Sequence, residues 1–201
     1  MATANCGLSV CMNKDMPLDL EQCIDFHGHL CPGIIIGYKV AKIAMEKMKF
    51  KKARDEEVVC VSMSDGCAVD AIQYLTRCTL GKGNLIFQDY GKMVFLFLKR
   101  KKGSSGTGVR ISLQSTSRWK KLRRSKHTSK EKAALDLLKI VEDKLFKIEK
   151  LKDYPIPRKA RIFPSQKCES CGELTMEPRL KVCDGKLLCP ECAPGDHSRG
   201  W

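Results

Sequence analysis

Two groups of residues in this sequence have the types and spacing to do chemistry. The first is Cys168-x2-Cys171, seventeen residues, then Cys189-x2-Cys192. Each pair lets two thiolates reach one cation from a tight turn, and two such turns close a tetrahedral shell of four sulfurs with bonds of about 2.3 Å. A closed shell leaves no position for substrate, so the spacing predicts a structural zinc, with a rubredoxin-like iron as the alternative. Asp184-Gly185 between the pairs suits the turn of a hairpin that returns the second pair to the first. So small a module cannot hold itself together by apolar burial, and metal binding must supply its folding energy. Cys183 reads as a thiol packed in that hairpin and His197 as a solvated tail residue.

The second group is His27-x-His29-x-Cys31, three good transition-metal ligands within five residues on a glycine-bearing stretch. Imidazole and thiolate suit zinc, iron or copper, and three protein ligands leave one position open. Cys67 is a natural further partner, because it opens a predicted helix, where the dipole stabilises a thiolate. His27, Cys31 and Cys67 are therefore the candidate ligands of a second metal, zinc or iron. His29, Asp65 and Lys82 are candidates for proton transfer or anion binding. The competing reading is of histidines that bond backbone groups in a compact turn. Cys23, Cys60 and Cys78 read as core residues, and Gly81-Lys-Gly-Asn84 as a plain turn before an anion-binding nest.

These residues must be positioned by ordinary elements. A short helix opens at Pro17 and runs to Ile24, followed by a loop from Phe26 to Gly33. A longer helix spans Ile34 to Met48, with Ile36, Val40, Ile43 and Ala44 on one face and Lys39, Lys42, Glu46 and Lys47 on the other. Glu57–Met63 has the β-branched composition of a strand, and Ala68, Ala71, Ile72 and Leu75 form the stripe of a helix begun at Cys67. Strands over 85–88 and 93–99, joined across Asp89-Tyr-Gly-Lys92, read as a hairpin. Gly103–Gly108 reads as a loop, and Val109, Ile111 and Leu113 alternate as in a half-buried strand. Thr128–Glu131 matches a capping box for a helix reaching Glu149, lined by Ala134, Leu138, Val141, Leu145 and Ile148. Tyr154-Pro-Ile-Pro157 reads as a linker. The order of elements predicts an α+β core of helices packed on an antiparallel sheet, plus a small C-terminal zinc finger. The expected division is a tail over 1–16, a core domain over 17–153, a linker over 154–164 and the finger over 165–197.

Bulk properties bound the function. At 201 residues the chain holds one ordinary core and a small appendage. No apolar run approaches the roughly 20 residues of a membrane span, and no secretory signal opens the sequence, so a cytoplasmic protein with reduced thiols is expected. Twelve cysteines then read as ligands and core residues, not as a disulfide framework. A formal charge of +14 favours anionic partners. Part of it is the block Arg118–Lys132, where eight Lys or Arg could neutralise phosphates but Trp119 alone could stack on a base.

Taken in order, Phe26-His-Gly-His-Leu-Cys-Pro-Gly33 with Gly37, Asp65-x-Cys67, Asp70-Ala-Ile-Gln73, Cys78-Thr-Leu-Gly-Lys-Gly-Asn84 and Asp89-Tyr-Gly-Lys92 resemble the formylmethanofuran dehydrogenase E-subunit family over about residues 17–150. The resemblance implies an α+β core often followed by a treble-clef zinc finger, and a homodimer. It implies that His27, His29, Cys31, Cys67, Cys78 and Lys82 line a metal-containing cleft. The family takes its name from association with a molybdenum or tungsten enzyme of methanogens, although no motif here would hold a pterin. Departures at Arg77, where members often carry glycine, and in the basic block bear on substrate or partner. The expected function is a metal-dependent, redox-related enzyme or an accessory of a larger oxidoreductase complex. The alternatives are a zinc-finger nucleic-acid-binding protein and a metal carrier or sensor.

Overall fold

The computed structural model describes residues 16–101, 105–114 and 129–195. Most of the basic block, with Thr128, Gly103 and His197, lies outside them. The chain divides into two compact units, 1–159 and 160–201.

The first unit begins with α1 (Leu18–His27), which ends at Gly28, whose φ of 91° closes the helix in a left-handed turn that favours glycine. Its last turn therefore carries His27, which the sequence had suggested for a loop. α2 (Pro32–Met48) starts two residues earlier than expected, with Pro32 in its first turn and Cys31 as N-cap. β1 (Val58–Ser62) is buried along its whole length. α3 (Ala68–Thr76) has Cys67 as its N-cap, so the expected helix start is found. β2 (Leu85–Phe87), β3 (Val94–Arg100), β4 (Ser105–Leu113) and β5 (Phe146–Pro155) complete a five-stranded sheet in the order β2-β1-β3-β4-β5. A further helix, α4 (Lys130–Leu138), begins at Ser129, whose side chain accepts from the Lys132 amide.

Three local expectations give way to tertiary pairing. β2 and β3 are not a hairpin: β1 lies between them, parallel to β2 and antiparallel to β3. α3 carries the chain back across the sheet, so β2 can add to β1 in parallel. The connecting loop is tied to the end of β1, with Gln88 N–H donating to the Ser62 carbonyl and Lys92 N–H to that of Met63. Second, the helix expected to reach Glu149 stops at Leu138, and its supposed last turns become β5. Phe146, Ile148 and their neighbours fit a period of two as well as a helical stripe, and β4 offers an unpaired edge opposite them, with Ile148 against Ile111. Val141 is correspondingly exposed. Third, the glycine-rich stretch is partly strand. A side chain at Gly106 or Gly108 would strike the carbonyl of Lys99 or Phe97 on the neighbouring strand, and the register shifts between the two glycines. β5 also extends through Tyr154 into the expected linker, and Ile156 is buried.

Helices cover one face of the sheet, where Phe95, Phe97 and Ile111 meet Ile34, Ile35 and Ile72 in the main core. Val59, Val61, Leu96 and Leu98 form a smaller cluster with Ile156 on the opposite face. Lys39, expected on the solvent face of α2, is buried at 6 % exposure. Its amine donates to the Ile140 carbonyl at 2.9 Å and the Glu142 carboxylate at 3.0 Å, satisfying backbone left open just past the end of α4. Arg100 is likewise held by the Glu56 carboxylate and carbonyl and by the Pro157 carbonyl.

The contact that positions the site is between α2 and α3. A Cβ at Gly37 would overlap the Ala68 carbonyl, and one at Gly33 would lie 2.8 Å from Cys67 Cβ. Glycine at both positions lets the two backbones touch. Gly37→Ala must push the helices apart against a packed core, and it is expected to cost about 1–3 kcal/mol in urea unfolding. Gly81→Ala meets nothing within 4 Å and is expected to stay within about 0.5 kcal/mol of the parent.

Candidate metal centres

In the core unit, the end of α1 and the starts of α2 and α3 meet. His27, Cys31 and Cys67 each offer a ligand atom there, and all three atoms lie within 4.8 Å of one another. His27 Nε2 is 3.8 Å from Cys31 Sγ. On the other side of the ring, His27 Nδ1 is 2.7 Å from Asp70 Oδ2. A carboxylate only accepts, so Nδ1 carries the hydrogen and the Nε2 lone pair faces the sulfurs. This is how a ligating histidine is normally oriented from behind. Cys31 is 5 % exposed and Cys67 half-buried.

Burial pushes the Cys67 thiol pKa up, and the neighbouring Cys31 pushes it further. A cation held beside Cys67 would offset both effects on its thiol. Cys31 and Cys67 both sit at helix N-caps, where orphan backbone N–H groups favour negative sulfur. The donor set, imidazole plus two thiolates with a fixed tautomer, fits a zinc or iron ion and leaves a coordination position unfilled.

The other expected residues divide. The exposed His29 ring stacks beside His27 with centroids 4.5 Å apart. Asp65 is exposed in the bend leading to Cys67. Lys82 and Cys78 are not brought to the cluster. Both follow the far end of α3, whose nine residues span about 13 Å. Lys82 donates to the Ala53 carbonyl at 3.1 Å, and Cys78, fully buried, to that of Val58. They are spent locally because the loop after α3 must be tied to the start of β1, a task that Asn84 shares through Asp55 and Val58 carbonyls. Asp70 is the site residue that spacing did not single out. It lies three residues after Cys67, on the same face of α3, and that offset was its signal.

In the second unit, Cys168, Cys171, Cys189 and Cys192 likewise converge within 4.8 Å. β6 (Ser165–Lys167) pairs with β7 (Leu174–Met176), and β8 (Lys181–Cys183) with β9 (Lys186–Leu188). The first knuckle closes through Gly172 N–H to the Cys168 carbonyl, with Gly172 at φ 77°. The second closes through Cys192 N–H to the Cys189 carbonyl at 3.1 Å. Asp184 and Gly185, both at positive φ, make the expected hairpin turn. Glu169 clamps the knuckles together: its N–H donates to the Leu187 carbonyl and its carboxylate accepts from the Leu187 N–H, each at 2.9 Å. Backbone N–H groups, that of Cys171 first and then that of Cys189, pull the Cys168 thiol down to about 6. Cys183 stays outside the cluster, half-buried on its hairpin.

Known proteins resemble each of the two units. The family model described as FmdE, molybdenum formylmethanofuran dehydrogenase operon, matches residues 26–156. The chain belongs to the FmdE family. The prokaryotic dksA/traR C4-type zinc finger matches residues 161–195, the unit that carries the four-cysteine cluster. A crystal structure of an FmdE-like protein from Syntrophus aciditrophicus, described as of the tungsten formylmethanofuran dehydrogenase type, shares the fold, with a TM-score of 0.63 and 20 % identity over 86 % of this chain and 89 % of that one. A protein of Archaeoglobus fulgidus described as a probable S-adenosyl-L-methionine-binding protein is 32 % identical over an alignment of 194 positions that covers 84 % of this chain. The chain spans about half the length of that curated relative, 50 %. Among the described residues no helix is long and apolar enough to cross a membrane.

The finger contains little apolar burial, so its ligands decide its folding. Cys171→Ser is expected to leave the amides of residues 165–195 unprotected in hydrogen exchange while those of β1 and β3 keep their protection. Retained protection of the Leu187 amide in that variant would contradict a metal-held finger.

Proposed function

We propose that this FmdE-family chain is a redox-related, metal-dependent enzyme or enzyme accessory, working at the core site of His27, Cys31 and Cys67 and docked or stabilised through a structural zinc in the finger. The observation that carries this reading is the convergence of His27 Nε2 with two helix-capping thiols while Asp70 holds the ring from behind. A structural centre would be closed by a fourth protein ligand, as in the finger; the core cluster has three among the described residues. A zinc or iron ion there would act as a Lewis acid or lower the pKa of bound water. The protein's own part is to hold two thiolates and one imidazole in register. His29, exposed beside His27, and Asp65, at the approach to Cys67, are the groups in this reading that move a proton to or from a substrate. Lys82, which donates to the Ala53 carbonyl, has no part in this reading.

Family membership supports a homodimer and association with a larger oxidoreductase as the working arrangement. The description of the archaeal relative makes S-adenosyl-L-methionine the first small molecule to titrate. The nucleic-acid reading gains nothing from the described residues, since the stretch 115–128, which holds most of its basic block, lies outside them.

Metal content per chain tests the reading. Anaerobically purified protein is expected to hold two metals. His27→Ala/Cys67→Ala should lose one and Cys168→Ser/Cys171→Ser the other. Asp70→Asn should keep the stoichiometry but weaken the core metal about 10–100-fold in competition with a chelator. One metal, lost only with the finger cysteines, would leave the core cluster as a hydrogen-bonded structural feature and overturn the proposal.

A further inference from the structure

A second candidate site lies at the opposite end of α2 from the metal cluster. Between the C-terminus of α2 and the neighbouring parts of β3, β4 and β5 lies a groove of about 630 Å³. That volume is in the range of small-molecule sites, roughly 300–1,000 Å³. Its floor includes Val109 and Ile148, and its rim carries Lys47, Lys99, Lys150 and Lys152. No carboxylate lines it among the described residues. The rim is built by tertiary contact. Lys99 Nζ donates to the Met48 carbonyl at 2.6 Å and that of Lys49 at 3.1 Å, fixing the end of α2 against β3. Among the described residues Lys47 has a 3.6 Å approach to its exposed neighbour Glu46. Seventeen residues of α2 separate this groove from Cys31 by about 25 Å.

Lysines on an edge strand ordinarily keep it from pairing with other chains, and Lys147 on β5 can serve that purpose from outside the groove. Lys150 and Lys152 instead share the groove with cations from two other elements, over an apolar floor. Lys47 approaches the Glu46 carboxylate at 3.6 Å and Lys99 is held by backbone carbonyls, so Lys150 and Lys152 are the charges that an anion seated in the groove would offset, and no carboxylate among the described residues lines it. We propose that this groove binds a small organic polyanion, a molecule with two or more phosphate, sulfonate or carboxylate groups on an apolar or aromatic body. The site is independent of whether the core cluster holds metal.

The test uses the full, zinc-loaded chain and the dye bis-ANS, which carries two sulfonates on paired anilinonaphthalene rings, with inorganic pyrophosphate as an anion lacking the apolar body. One dye per chain is expected, displaced by pyrophosphate only at much higher concentration. Lys150→Glu/Lys152→Glu, both exposed and so harmless to folding, should weaken the dye about tenfold or more, a loss of about 1.4 kcal/mol. Lys47→Glu should weaken it independently. Lys144→Glu/Lys147→Glu makes the same charge change outside the groove and should leave the affinity within about twofold. Equal weakening by both lysine pairs, which would indicate general charge attraction, overturns the proposal, as does unsaturable binding. So does an oligomer that dissociates in the Lys150→Glu/Lys152→Glu variant without any dye binding, because the groove would then be an interface between copies of this chain.

Discussion

The close approach of α2 to α3 is the constraint on which the rest of the core unit depends. Two glycines one helical turn apart, Gly33 and Gly37, remove the side chains that would otherwise hold the helices at ordinary spacing, and Ala68 and Cys67 fill the space they leave. Because the contact lies at the starts of both helices, Cys31 and Cys67 arrive together, each an N-cap. α1 then needs only to end beside them for His27 to close the triangle. Asp70, one turn into α3, reaches behind that ring, so the same helix supplies the candidate ligand Cys67 and the group that orients His27. Packing and chemistry are here a single arrangement.

The two candidate metal centres are built on opposite logics. In the finger, each pair of candidate ligands comes from one tight knuckle, and the two knuckles are tied by Glu169 to Leu187 and by the Cys189 N–H to Cys168 Sγ. Such a site is nearly local and depends on its ion for order. In the core, the ligands come from three helices that a large apolar cluster holds in place, so the cluster can exist before any ion arrives. Preorganisation of this kind suits a centre that exchanges ligands, because the protein need not refold when the open position fills or empties. Burial and the neighbouring Cys31 raise the Cys67 thiol pKa, so binding of a cation there would be coupled to its deprotonation.

Charge has a similar division. The formal excess of +14 reads in the sequence as a single basic character, yet individual lysines and arginines have separate occupations. Lys39 and Arg100 are internal ties to backbone carbonyls and carboxylates. Lys82 and Lys99 brace loop and helix ends. Lys150 and Lys152 instead keep their charge exposed on the β5 edge. Net charge alone could not have sorted them, since the sorting depends on which carbonyls the fold leaves without partners.

Residue types and short spacings were enough to determine the finger's ligands and its Asp184-Gly185 turn, the α+β class, the helices at the metal cluster and the placing of Cys67 at a helix start. All of these rest on interactions within a few residues of chain: knuckle turns, caps, hydrophobic period. The tertiary structure alone decided that β1 separates β2 from β3, that the chain after Leu138 becomes an edge strand and that Lys39 is buried. It also decided that Asp70 joins the site while Cys78 and Lys82 do not. Each of those outcomes turns on which distant backbone edge or carbonyl needed a partner, and a segment whose apolar residues fit both periods carries no local record of that need.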